Sequence, residues 1–213
     1  MPQCAVIGAR VHSGWAAIVA IAGDPASPEV IDRRSAVIVD AAVTGANQPY
    51  HFAENLELPD AAQYLDGCTA ACEQVASESI GAIVEAMGAR GYNLASCAIV
   101  LAAGRPLPGL PEILASHALI HTAEGEFFRE ILRQACTAHG IAVAGIRERD
   151  LEQRARAVFG ARAARLRLTI ESMRHSLGPP WRQDQKIAAL AATIVLADSC
   201  GYPYSKAPSA SID

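Results

Sequence analysis

The chain has 213 residues, 51% of them hydrophobic, which is enough for one domain with a sizeable core. Its net charge is −4 and its pI is about 5.9, so no overall positive charge indicates a nucleic acid or an anionic membrane as partner. No apolar run reaches the roughly 18 residues that span a bilayer, and no secretory leader is recognisable, so we expect a cytoplasmic protein without a membrane partner.

Three apolar segments at the start of the chain predict an antiparallel β-meander. Residues 4–11 and 14–22 flank a short His-Ser-Gly turn, and residues 30–40 follow a second turn rich in Gly and Pro. The segment 60–90 is rich in Ala, has apolar residues at helical spacing and begins with Asp60 as an N-cap, so we predict one long helix there.

Two short, unbroken apolar runs follow, at residues 97–103 and 141–146. Runs of this kind are typical of inner parallel strands, which are buried on both faces. A helix over residues 113–139 is predicted to join them. Since a helical crossover demands parallel pairing, the complete sheet combines parallel and antiparallel strands.

The rest of the chain is predicted to be helical. Residues 150–177 form a helix that bends at Gly160, and residues 183–200 form a closing helix after a Gly-Pro-Pro breaker. The order β-β-β-α-β-α-β-α plus a closing helix predicts an α/β fold with a five-stranded mixed sheet between helical layers. We expect one domain over residues 1–200 and a flexible tail over residues 201–213.

Three segments have the spacing of motifs in a known superfamily. Residues 7–16 match a hairpin in which Gly-Ile-Asp-Pro-Gly precedes a glycine-led second strand, and residues 147–174 match a long basic helix. Residues 184–192 are similar to a closing helix of the Asp-Ala-Ala-Asp-Ala-Leu-Ala type. Together with the order of elements, they resemble the ribonuclease H-like superfamily, and within it the RuvC-type Holliday-junction resolvases.

This resemblance implies two-metal hydrolysis, in which about four carboxylates hold two Mg²⁺ ions roughly 3.5–4 Å apart. The first-strand Asp of the family falls at Ala9, or at Arg10 if the register slips by one, and no acid occurs near the end of the fourth strand. On the last helix, the two possible alignments place the pair of acids at these positions: Asp184 and Ile187, or Gln185 and Ala188. We therefore expect the family's metal site to be lost.

A second candidate site lies on the helix after the fourth strand. His117, His121 and Glu124 are spaced i, i+4 and i+7, which places them on one helical face. Two imidazoles and a carboxylate suit Zn²⁺ or Mn²⁺ if a further ligand, such as His12 or Asp184, comes from elsewhere in the fold.

The same segment also has a purely structural interpretation. Thr122 could be the N-cap of a helix that begins at Ala123, with His121 in the preceding loop. Glu124 and Glu126 would then lie in the first helical turn, where carboxylates favour the helix dipole.

A basic segment is the best candidate for binding. Residues 147–174 contain eight arginines and four acids, a local charge of +4, and guanidinium groups suit phosphate contacts. The alternative interpretation is a solvated helix face with local ion pairs. With the first hairpin and the start of the last helix, the predicted binding residues are Arg10, His12, Arg154, Arg162, Arg165, Trp181 and Lys186.

Three functions are compatible with these patterns. The first is a catalytically degenerate RuvC-like protein that keeps a binding cleft for nucleic acid and needs no cofactor. The second is a divergent phosphodiester hydrolase that uses Mg²⁺, Mn²⁺ or Zn²⁺, with metal ligands among His117, His121 and Asp184. The third is a non-catalytic interaction protein that forms a homodimer. The candidate acids of the hydrolase are Glu124, Glu126 and Asp184. This function is favoured if His121, either Glu124 or Glu126, and Asp184 lie within about 5 Å of one another at the strand ends.

Overall fold

The computed structural model describes residues 2–102 and 106–199. Its strands are Gln3–His12 (β1), Trp15–Asp24 (β2), Ser27–Val37 (β3), Tyr92–Leu101 (β4) and Ala142–Arg147 (β5). Its α-helices are Pro49–Ala53 (α1), Leu58–Gly88 (α2), Leu110–Leu114 (α3), His117–Ala138 (α4), Leu151–Phe159 (α5), Ala163–Ser172 (α6), Arg174–Leu177 (α7) and Gln183–Ser199 (α8). None of the helices in these ranges is long and apolar enough to cross a bilayer. The tail predicted over residues 201–213 lies outside the described residues.

The five strands form one mixed sheet in the order β3-β2-β1-β4-β5. β1 pairs antiparallel with β2, and β2 with β3, which confirms the opening meander. β4 pairs parallel with both β1 and β5, as the helical crossovers require. The carboxyl ends of β1, β4 and β5 therefore meet at one edge of the sheet, and this edge positions the candidate sites.

Helices cover both faces of the sheet. The helices α2 and α4 pack on one face, against Ile7 and Ala9 of β1, and α8 packs on the other, with α5 and α6 outside it. Because successive side chains of a strand point to opposite faces, Ala9 is buried beneath α2 and α4, whereas Arg10 faces α8. The two positions proposed for the family's first Asp therefore lie on opposite sides of the sheet.

The helix α8 approaches β1 so closely that only glycine fits at the crossing. A Cβ atom on Gly8 would lie 1.9 Å from the carbonyl oxygen of Ala188 and 3.1 Å from the Cβ atom of Ala192. The facing surface of α8 is built from fully buried alanines, which lets the two backbones come together. This contact sets the distance between the end of β1 and the start of α8.

Replacing Gly8 with alanine is expected to lower the free energy of unfolding by about 2 kcal/mol, because the new methyl group must displace α8. Gly67→Ala is the matched control, since Gly67 lies exposed within α2 and a Cβ there meets no atom within 4 Å. That control should raise stability by about 0.5–1 kcal/mol. Urea unfolding of the two variants measures both effects, and equal stability of Gly8→Ala and the parent chain would refute the close contact.

The element boundaries differ from the prediction in several places. β3 is shifted to earlier residues, β4 begins five residues earlier, and α1 was not predicted. The helix predicted over residues 113–139 is divided into α3 and α4, because Ser116 takes an extended backbone conformation. The bend predicted at Gly160 within residues 150–177 is confirmed by its positive φ of 56°, whereas the second break, at Met173, was not predicted.

Candidate functional site

An ion-pair cluster lies where β1 ends and α8 begins. The guanidinium of Arg10 donates from Nη1 to Oδ1 of Asp184 at 2.5 Å and from Nη2 to Oε2 of Glu148 at 3.1 Å. Asp184 is in the first turn of α8, and Glu148 directly follows β5. The fold thus brings two carboxylates to the edge of the sheet, and a cation from β1 joins them.

His12 completes this cluster. Its Nε2 lies 3.3 Å from Oδ1 of Asp184, the same oxygen that accepts from Arg10. The imidazole stacks on the indole of Trp15, with ring centroids 4.5 Å apart and an angle of 14° between the planes. The predicted residues Arg10, His12 and Asp184 are therefore neighbours, and Glu148 is the member that the sequence did not reveal.

The arginine-rich segment presents one apolar and one basic side. Leu151, Ala155 and Leu166 are among the residues of α5 and α6 that are buried against α8. Several arginines of α5, of α6 and of the short 3₁₀ turn that joins them are exposed to solvent: Arg154, Arg156, Arg162 and Arg165. In the described part of the chain, Arg154, Arg156 and Arg165 form no ion pair.

A groove of about 230 Å³ is lined by residues of α5, α6 and the first turns of α8. Its polar lining includes the pair Arg167 with Glu152 and the pair Lys186 with Glu171. Glu148 also lines the groove, so the groove adjoins the cluster around Arg10. The groove lining has three acidic and two basic residues, whereas the outer side of α5 and α6 is basic.

Three histidines converge at the start of α4, near α1. Nε2 of His117 lies 3.1 Å from Nε2 of His121, and one nitrogen of each of these and of His51 lies within 4.8 Å of the others. His51 is half-buried, whereas His117 and His121 are exposed. We call His51, His117 and His121 the histidine cluster.

Glu124 contacts the histidine cluster through His51. Glu124 is only 4% exposed, and its Oε1 lies 2.8 Å from Nδ1 of His51. The backbone N–H of His51 donates to the same oxygen at 3.3 Å. Burial, together with the negative charge of Glu124, raises the pKa of the neighbouring Tyr50 above its usual range.

Comparison with solved structures shows what this arrangement of elements is similar to. RuvC of Thermus thermophilus in complex with a Holliday junction substrate has a TM-score of 0.50 and 8% identity, covering 93% of this chain and 97% of that chain. A further RuvC structure from Thermus thermophilus has a TM-score of 0.47 with 8% identity and the same coverage. The chain has a ribonuclease H-like fold. No family model and no curated protein matches the sequence.

In this ribonuclease H-like fold, the end of β1 carries the guanidinium of Arg10 beside Asp184, where the resemblance implies a carboxylate for Mg²⁺. Mg²⁺ prefers an octahedral set of oxygen ligands, several of them carboxylates or waters. Here a guanidinium lies between Asp184 and Glu148, Ala9 is buried, and β4 contains no acid. On the last helix, Ile187 and Ala188 are buried, so neither alignment supplies a second carboxylate there.

The structure does not bring together the acids predicted for the hydrolase. Asp184 belongs to the cluster around Arg10, and Glu124 contacts His51 on the other face of the sheet. Glu126 forms an i, i+3 ion pair with Arg129 at 2.8 Å instead of pointing at either site. The prediction of one site containing all three acids is therefore wrong, because α4 and α8 pack on opposite faces.

The prediction that His12 or Asp184 lies beside His117 and His121 as a further ligand is also wrong. His12 and Asp184 lie with Arg10, and the third imidazole comes from His51 in α1. His51 lies in a helix of five residues and is far from His117 and His121 in the sequence, so no local pattern indicated it.

The structural interpretation of Thr122 is wrong as well. The helix α4 begins at His117 and is continuous through Thr122, whose hydroxyl donates to the carbonyl of Ala118 at 2.9 Å. The helical spacing of His117, His121 and Glu124 is therefore real.

Two predicted binding residues have roles in the fold. Trp181 is 7% exposed, packs in the core beneath α8, and donates from Nε1 to the carbonyl of Ile170 at 2.8 Å. The indole is thus engaged in the core, and its place in a binding surface stays a prediction. Lys186 forms an ion pair with Glu171 across the groove, so it ties α8 to α6.

Proposed function

We propose that this protein binds nucleic acid on a ribonuclease H-like scaffold without two-metal hydrolysis. The observation that carries the proposal is the cluster of Arg10, Asp184 and Glu148 at the end of β1. A fixed guanidinium repels a divalent cation and uses the carboxylate oxygens that would otherwise bind it. The cytoplasmic location and the homodimer stay predictions from the sequence.

The same cluster favours the approach of a phosphate backbone. Asp184 and Glu148 alone would place two negative charges at the edge of the sheet and repel phosphates. Arg10, which contacts both, offsets much of this charge. An edge that is close to neutral then lies beside the basic side of α5 and α6.

The exposed arginines are the groups expected to contact phosphates. Arg154, Arg156 and Arg165 are exposed and form no ion pair in the described residues, so no internal interaction must be broken to bind an anion. A guanidinium binds phosphate through two parallel hydrogen bonds. Because the whole chain carries a charge of −4, the attraction is local, and we expect its affinity to fall steeply with salt.

A salt titration tests the proposal. Labelled four-way junction, duplex and single-stranded DNA are titrated with the full chain in EDTA, over roughly 50–300 mM NaCl, and binding is followed by fluorescence anisotropy. We expect log K to fall linearly with log salt concentration, with a slope of about −3 for at least three phosphate contacts. Absence of binding to all three DNAs at the lowest salt, or binding that does not change with salt, would refute the proposal.

A further inference from the structure

We propose that the histidine cluster is a binding site for Zn²⁺, with His51, His117 and His121 as ligands and Glu124 as the carboxylate that orients His51. The site would be of the three-histidine type, with its fourth position taken by water. It lies on the face of the sheet covered by α2 and α4, whereas Arg10 and the basic helices lie on the other face. The inference therefore does not depend on the proposed nucleic-acid function.

The spacing of the imidazoles is close to that of a tetrahedral zinc site. With Zn–N distances of 2.0–2.1 Å, neighbouring ligand nitrogens lie about 3.3–3.4 Å apart. The Nε2 atoms of His117 and His121 are already 3.1 Å apart, and one ring nitrogen of His51 lies within 4.8 Å of one ring nitrogen of each of them. Side-chain rotations that bring the nitrogen of His51 closer to the other two would place all three nitrogens around one ion.

The contact with Glu124 prepares His51 to bind a metal. A carboxylate is a pure hydrogen-bond acceptor, so Nδ1 of His51 must carry the proton in the 2.8 Å contact with Glu124. The lone pair is then on Nε2, the nitrogen that remains available to an ion. Metal-binding histidines regularly have such a carboxylate partner on the other ring nitrogen, which fixes the tautomer and increases the basicity of the ligand.

The burial of Glu124 is a second observation that points to a cation. A carboxylate that is 4% exposed is costly unless positive charge or hydrogen bonds compensate it. Its hydrogen bonds in the described residues come from the ring and the backbone N–H of His51. A Zn²⁺ ion on the far side of that imidazole would supply the compensating charge.

The ligand types favour zinc over magnesium. Imidazole nitrogen is a ligand of intermediate softness that suits Zn²⁺ and its relatives Co²⁺ and Ni²⁺, whereas Mg²⁺ prefers oxygen. Because His117 and His121 are exposed, the fourth coordination position would face solvent. A bound ion would also fasten α1 to α4, since its ligands come from both helices.

Metal titration of the untagged, metal-free chain tests this site. We expect one equivalent of Co²⁺ to give the visible absorption bands of a four-coordinate ion, Zn²⁺ to displace it, and Mg²⁺ to have no effect. Zn²⁺ should also raise the melting temperature. His117→Ala and His121→Ala each remove one exposed ligand, so we expect the affinity for Zn²⁺ to fall on the order of 100-fold or more while the metal-free fold is retained.

Two further variants distinguish a specific metal site from adventitious binding. Glu124→Gln removes the carboxylate but keeps the shape, and should weaken Zn²⁺ binding by about 10–100-fold. His175→Ala removes an exposed histidine in α7, away from the cluster, and should leave the affinity unchanged. Lack of stoichiometric Co²⁺ binding, or affinity in His121→Ala equal to that of the parent chain, would overturn the proposal. The metal titration tests residues of α1 and α4, whereas the DNA titration tests arginines of α5 and α6. Failure of one proposal is therefore distinguishable from failure of the other.

Discussion

Replacing Arg10 with aspartate is expected to destabilise the protein and to make its stability depend on a divalent cation. In the parent chain the guanidinium contacts Asp184 at 2.5 Å and Glu148 at 3.1 Å. Arg10→Asp would replace these attractions by repulsion between three carboxylates. Since the side chains of Arg10 and Asp184 are about three-quarters buried, we expect a loss of about 3 kcal/mol in EDTA, less than for a fully buried cluster.

The three carboxylates of this variant would form a set of ligands suited to Mg²⁺ or Mn²⁺. We therefore expect millimolar Mn²⁺ to restore much of the lost stability, and the parent chain to show no such response. Arg10→Met is the matched control, because it removes the ion pairs without adding a third negative charge. It should be destabilised less than Arg10→Asp and should not respond to Mn²⁺. Thermal unfolding of the variants with Mn²⁺ or EDTA measures these differences in stability. An Arg10→Asp chain as stable as the parent in EDTA would contradict the claim that Arg10 forms stabilising ion pairs with Asp184 and Glu148.

Removing two exposed arginines is expected to reduce the affinity for DNA by roughly 100-fold at 0.1 M salt. Arg154→Gln and Arg165→Gln together remove two phosphate contacts but no ion pair of the described residues, so stability should hardly change. Each contact contributes about 0.9 to the slope of log K against log salt, so the slope should become shallower by about 1.8.

The control of equal charge combines Arg90→Gln, directly after α2, with Arg133→Gln in α4. It also removes the ion pair of Arg133 with Glu130 and the hydrogen bond from Arg90 to the carbonyl of Ile31, so its thermal stability is measured alongside. It has the same net charge as the first variant, and we expect it to bind DNA almost as well as the parent chain. Equal losses in the two double variants would show that total charge, not the basic side of α5 and α6, determines binding.

Much of the fold could be predicted from local pattern. Alternating or unbroken apolar runs identify β1 to β5, and the requirement for parallel crossovers then fixes the mixed sheet. The boundaries were harder: the glycine at position 160 indicated the break that its positive φ produces, but the break at Ser116 has no comparable signal.

The candidate sites were predictable only in part, for a physical reason. Residues on one helix, such as His117 and His121, have a spacing that can be counted along the chain. Residues that meet only through tertiary packing have no such regular spacing along the chain. Glu148 reaches Arg10 because β5 lies two strands from β1, and His51 reaches Glu124 because α1 packs beside α4.

The most direct test of the central claim is incubation of the protein with a labelled four-way junction in the presence of Mg²⁺ or Mn²⁺. If Arg10 replaces the metal ions at the end of β1, the junction will be bound, as a gel shift shows, and will stay intact. Asp184→Asn would then leave the DNA uncut as before. Cleavage by the parent chain that is lost in Asp184→Asn would contradict the account, because it would show that Asp184 still serves a working metal site.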